Sequence, residues 1–170
     1  NIQPTDKPIL VMQTNGGPID TGYQYAWTRD IPEPTVLEII NHYKNDYTII
    51  HIKRKDQKVY PDVMQALDGY RSIAILLQLS NKRLLMDSFS QHLAAALDKK
   101  STVCWISTKP EIFGYKMHGN IKANPFTKEP SLHEAAYQPF SLSQDIHSIP
   151  YNDLKEIFNT NKIIESINQQ

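Results

Sequence analysis

The stretch that most restricts what this chain can fold into is 84–106, LLMDSFSQHLAAALDKKSTVCWI. Leu84, Leu85 and Met86 form a short apolar run that Asp87 ends. Ser88 stands three residues before Gln91, the S-x-x-Q spacing of a capping box. Strong helix formers follow, among them Ala94, Ala95 and Ala96, small enough to let a helix lie close against a sheet. Asp98, Lys99 and Lys100 turn the chain, and 102–106 is the next apolar strand. A strand running straight into a helix start sets backbone N–H donors and the positive end of a helix dipole at the carboxyl edge of a sheet. Anions, phosphates above all, are held at such places.

The same alternation runs along the rest of the chain. Residues 1–8 carry two prolines and read as a linker or tail, and 9–12 is a continuous apolar run suited to a central parallel strand. The loop 13–18 is glycine-rich but lacks both G-x-G-x-x-G and the Walker pattern, so a turn needing permissive dihedrals competes there with phosphate binding. Val36, Ile39, Ile40 and Tyr43 have helical spacing, and 47–52 is a second strand ending in the charged run 53–56. Such a run reads first as a solvated loop. Pro61 opens a candidate short helix over 61–67, and 72–79 reads as a helix. The segment 107–115 reads as a loop. Four prolines make 117–150 mostly irregular, and 151–167 is a terminal helix with a break near 159–161. Its density of Ile, Leu and Phe predicts an apolar face left incompletely covered.

Strand and helix in alternation predict an α/β fold, an open parallel sheet with helices on both faces. The divisions are 1–8 as tail, 9–150 as one domain and 151–170 as a C-terminal helix. At 170 residues, 40% of them hydrophobic, the chain is long enough for a core of its own. The 18 Lys and Arg balance 18 Asp and Glu, so no overall field points to nucleic acid. One cysteine, Cys104, excludes an internal disulfide, and the six histidines show no metal-ligand spacing. No run is long enough to span a bilayer and no signal peptide is evident, which points to the cytoplasm. The first residue is Asn1 rather than Met, as in a piece of a longer chain.

Ligands of open parallel sheets bind beyond the carboxyl ends of the strands. That rule selects the loops at 14–17, 53–56, 87–92 and 107–115. Each residue singled out for a role has a structural alternative. Asp87 can simply accept hydrogen bonds from the turn, Ser88 can only cap, His92 can pack against the sheet, and Arg29 can lie on the surface.

The run from Asp87 to Tyr115 resembles the C-terminal domain of the lipopolysaccharide heptosyltransferase-like family, glycosyltransferase family nine. Members carry an Asp, a Ser or Thr, a Gly, two residues and a His, then small helix residues, a strand, and a loop with Thr and Pro. Asp87, Ser88, His92, the three alanines, Thr108 and Pro110 match, and a looser likeness extends from Lys7 to the terminal helix. The resemblance implies a Rossmann-like domain, one half of a GT-B enzyme, that binds a nucleotide-diphosphate sugar donor without metal or cofactor. Ser88 and the following amides would hold the diphosphate with His92 one turn on. Asp87 belongs to the same motif. Thr14 and Asn15 match the family's phosphate-side polar pair, and Arg29 stands where a cation reaches the phosphates. A glycan or glycolipid acceptor and the general base belong to the other half, absent here, and peripheral contact with a membrane stays open for the full chain. Phe89 departs from the motif, where glycine is expected. A ring there either obstructs the approach of a pyrophosphate or packs on the sheet and leaves the amide free. It also keeps open a non-catalytic nucleotide-binding or scaffold module. A redox dinucleotide enzyme is disfavoured by the missing G-x-G-x-x-G.

Overall fold

In the computed structural model, which describes residues 6–16, 28–66, 69–128 and 149–170, the apolar runs become the strands of one six-stranded sheet. The strands are β1 (Ile9–Met12), β2 (Thr48–Ile52), β3 (Met64–Ala66), β4 (Lys82–Met86), β5 (Thr102–Trp105) and β6 (Gly119–Lys122). Every pairing is parallel, and the order is β3-β2-β1-β4-β5-β6. The chain starts in the middle, works outward to one edge, returns beside β1 and works outward to the other. Where that direction reverses, between β1 and β4, the connections leave on opposite faces and a crevice opens at the carboxyl ends.

The helices are α1 (Glu33–Tyr43), α2 (Tyr70–Leu79), α3 (Phe89–Ala96), α4 (Pro110–Phe113) and α5 (Thr160–Asn168). Alternate strand residues feed two cores. Leu10, Met12, Ile49, Leu84, Met86 and Cys104 meet Val36, Ile39 and Ile40 of α1 and Ile163 and Ile167 of α5. Val11, Ile50, Ile52, Leu85, Val103 and Trp105 meet Ile73 and Leu77 of α2 and Ala94 of α3. The sheet is therefore covered on both faces, the open parallel α/β architecture that the alternating pattern predicts.

Several local expectations are corrected. Pro61 does not open a helix. Asp62 takes a positive φ of 60°, which no helix interior accepts, and the chain then adds β3 to the sheet edge. The segment beyond Met117 contains β6, paired among the described residues with β5, and the loop beyond β5 holds the one-turn α4. The capping box at Ser88 and Gln91 does not form: Ser88 is the N-cap by position, but its side chain makes no capping bond. The terminal segment does break, into a 3₁₀ turn at Leu154–Glu156 and then α5, whose first turn the Asn159 carboxamide caps. Its apolar face is not left open. Ile157, Ile163 and Ile167 are fully buried, and Lys82 reaches the Ile167 carbonyl at the far end of α5.

Candidate functional site

The carboxyl ends of β1 to β4 border a cleft of about 450 Å³. Gln13, Asn15, Gly16 and Arg29 line it beyond β1, Ile52, Lys53, Arg54 and Gln57 beyond β2, and Ala66, Gly69, Tyr70 and Ile73 beyond β3. Ser88 and Phe89 close it at the start of α3. Among the described lining residues there are three cations and no carboxylate, in a chain whose formal net charge is zero. The cleft thus concentrates positive potential where the molecule as a whole has none.

Gln13 organises the crevice between β1 and β4. Its Oε1 accepts from the hydroxyl of Ser88 at 2.7 Å and from that of Ser90, while its Nε2 donates to the Asn15 carbonyl. Drawn to Gln13, Ser88 does not turn back to cap α3, and the first turn of that helix faces the cleft without a side-chain acceptor. Sequence reasoning passed over Gln13. The signal was a polar side chain directly after the central apolar run, where the strand order reverses.

Thr14 and Asn15 follow. The Thr14 hydroxyl donates to Asn15 Oδ1 at 3.1 Å, so its bond to His51 Nε2 at 2.9 Å has the imidazole as donor. His51 is 1% exposed and held neutral, its pKa lowered to about 4 by burial first and by the Lys53 charge second. Tyr60, also bonded to Thr14, has its phenol raised to about 12, chiefly by burial. Thr14 therefore belongs to a buried network beneath the cleft, and Asn15 is the member of the pair that reaches its lining.

Arg29 crosses the crevice. Its Nη2 donates to the Asp87 carbonyl at 2.8 Å, and its enclosed Nε has no partner among the described residues. It lies so close over Gly16 that a Cβ there would stand 2.7 Å from the Arg29 carbonyl and 3.2 Å from Nε. Gly16 is thus required for close approach rather than for a positive φ, as the glycine-rich loop first suggests; Gly17 and Pro18 lie outside the described residues. The Asp87 carboxylate accepts from Thr108 at 2.5 Å, tying the β4 and β5 loops together.

The structure gathers Asn15, Arg29, Ser88 and Phe89 at one cleft, with Thr14 and Asp87 directly behind them. Phe89 neither joins a core nor covers the sheet. Its ring stands edge-on to Tyr70, with centroids 5.2 Å apart, as one wall of the cleft. His92 is not brought there. It is exposed, Nδ1 lies 3.0 Å from the Tyr115 hydroxyl, and its ring meets that of Tyr115 edge-on. No helix among the described residues is long and apolar enough to cross a membrane.

No family model matches the sequence. No curated protein matches it either. Solved structures do. The E. coli heptosyltransferase WaaC, determined with ADP, is similar at a TM-score of 0.56 and 18% identity, over 71% of this chain and 40% of that one. A family 9 glycosyltransferase from Veillonella parvula matches at 0.59 and 12% identity, over 98% and 47%. The iron-containing dodecameric glycosyltransferase TibC from enterotoxigenic E. coli matches at 0.62 and 14%, over 98% and 46%. This chain spans less than half the length of each of these three proteins. What it shares with them is architecture: a Rossmann-like parallel sheet with helices on both faces, the fold of one half of a heptosyltransferase-like GT-B glycosyltransferase.

Proposed function

We propose that this chain is the C-terminal, donor-binding half of a glycosyltransferase of family nine, and that its cleft holds a nucleotide-diphosphate sugar. The observation that carries the reading is the pairing of Arg29 with the start of α3. A cation with an unused, enclosed Nε stands beside a helix start whose N-cap side chain is turned away, at the crevice where β1 and β4 part. Amides, dipole and guanidinium converge there on one anion. WaaC was solved with ADP and TibC with ADP-D-beta-D-heptose, which suits a nucleoside diphosphate as the core of the ligand.

In this reading the diphosphate lies against the α3 amides and Arg29, with Ser88 and Asn15 alongside. Asp87 and Thr14 act from behind, by fixing Arg29 and Asn15. As the glycosidic bond to the donor forms on an acceptor hydroxyl, the bond from the anomeric carbon to the diphosphate breaks and negative charge accumulates on the departing phosphate. A preorganised cation and helix start stabilise that charge, an electrostatic contribution to the rate. The acceptor, a glycan or glycolipid, and the group that takes its proton come from the half of the enzyme not represented here. Transfer is then a property of the longer protein, and the cytoplasm its compartment.

Calorimetric titration of the chain with ADP, GDP and UDP, each with and without a chelator, tests the donor site. At least one should bind, unaffected by chelation. Arg29→Gln should weaken that binding roughly 10- to 100-fold, the scale of a hydrogen bond to a charged group, with little change in melting temperature. Failure of all three nucleotides to bind, or an Arg29→Gln variant of undiminished affinity, would overturn the reading.

A further inference from the structure

The far end of the cleft carries a charge that the diphosphate site leaves unanswered. Lys53, directly after β2, is 5% exposed, and lysine is almost never so buried without an anionic partner. Its Nζ donates to the Arg54 carbonyl at 2.7 Å and meets no carboxylate among the described residues. Arg54 lies beside it, half-exposed, with Asp56 Oδ1 3.3 Å from its Nε. The loop is held in shape from within. Gln57 Oε1 accepts from the Arg54 amide at 2.8 Å, and the Gln57 amide donates to the Arg54 carbonyl.

Sheets of this strand order ordinarily end their second strand in an acid that takes a ribose diol, or place an arginine nearby where the ligand bears an extra phosphate. Here the end of β2 carries two cations. They stand apart from the anion at α3. Strands lie about 4.8 Å apart, so the ends of β2 and β4 are roughly 10 Å from one another. Lys53 is also fastened to its own loop, as Arg29 is fastened to Asp87.

We propose that Lys53 and Arg54 form a second anion subsite, so that the donor this domain takes carries a phosphate monoester or carboxylate in addition to its diphosphate. This rests on the donor-site reading and deepens it. An anion at Lys53 would supply the counter-charge that the described residues do not give the buried ammonium, which a neutral diol cannot do. Ile52, Ala66 and Ile73 add an apolar lining to the same cleft.

The test compares ligands that differ only in the extra anion. ADP is set against its 2′- and 3′-phosphorylated forms, to place the anion on the ribose. UDP-glucose is set against UDP-glucuronic acid, to place it on the sugar. One of the charged ligands should bind about tenfold more tightly than its neutral counterpart, an advantage that shrinks as salt rises. Lys53→Met should abolish that advantage while leaving binding of the neutral counterpart within about twofold. Arg54→Gln, at a half-exposed position where misfolding is not a concern, should reduce it. Equal affinity within both pairs would overturn the subsite while leaving the donor site standing, as would an advantage that survives both substitutions. Absence of binding by every nucleotide would overturn both.

Discussion

Gly16 has no side chain because Arg29 occupies the space one would need. A methyl group there would lie 2.7 Å from the Arg29 carbonyl and 3.0 Å from its Cβ, backbone and near-backbone atoms that cannot swing away. The same residue donates its amide to Asp30 Oδ1 at 3.0 Å, so the loop cannot easily retreat. Gly16→Ala should therefore displace Arg29. The expected result is a loss of ADP affinity of about tenfold and a stability cost of about 1–3 kcal/mol, the scale of a small overpacking. Titration and urea unfolding of one variant measure both; unchanged affinity would show that Arg29 does not need its present seat. At this scale the sequence was partly legible. Asn15, Arg29 and Ser88 were marked by residue type, position and family resemblance. Gln13 was not, because a lone glutamine after a strand matches no motif, although three of its neighbours take their orientation from it. His92 also matches the family motif, but a motif does not say which way a ring turns. Tyr115, 23 residues on, faces it instead.

Among the elements, those with a strong period were readable and those defined by their neighbours were not. β1, β2, β4 and β5 are each built on two or more large apolar residues in a strand buried on both faces, and α1 repeats its apolar positions at helical spacing. β3 and β6, reading Met-Gln-Ala and Gly-Asn-Ile-Lys, owe their form to pairing with a finished sheet edge, which no local pattern records. The capping box failed for a related reason: the Ser88 hydroxyl, which would have accepted from an amide of α3, is turned instead to donate to Gln13, just beyond β1. The sequence predicts a partly uncovered terminal helix, since its apolar residues are visible there and the surface they meet is not. Its face lies against β4, β5, β6 and α1, and at Gly119 a Cβ would stand only 2.1 Å from Ser166 Oγ. Lys82 and Lys100 reach carbonyls at its end, and the Gln170 carboxamide bonds both backbone groups of Arg83. Ile163→Ala should cost about 2–5 kcal/mol, and Ile164→Ala, at a half-buried position, distinctly less. Urea midpoints at constant slope give the comparison. Equal and small losses at both positions would mean that α5 is docked far more loosely than its packing indicates.

For the whole molecule, a buried histidine in the centre of the fold makes stability depend on pH. His51 sits on β2 with its Nε2 on Thr14 and its Nδ1 without a partner among the described residues, and its ring is 5.5 Å from that of Tyr60. Burial first and the Lys53 charge second hold its pKa down at about 4. In the unfolded chain the ring titrates near 6.5. Above that pH neither state is charged at this site, and the stabilisation is complete. As pH falls from about 6.5 towards 4, the unfolded chain takes up a proton that the folded chain refuses, and stability drops by about 1.4 kcal/mol per pH unit, roughly 3 kcal/mol over the window. His118, lowered mainly by burial, adds to the loss in the same direction. The glutamates whose pKa is lowered, Glu111 and Glu156, lose their contributions only below the usual carboxylate range, so they do not produce this slope. Urea unfolding of the wild-type chain between pH 7.5 and pH 4.5 should therefore show a fall that begins near neutrality, at about pH 6.5. In His51→Gln, whose carboxamide can still donate to Thr14, that component disappears, and the two curves converge at the acid end. Parallel curves between pH 6.5 and 5 would mean that His51 is protonated in the folded protein, and the neutral network beneath the cleft would have to be redrawn around a cation.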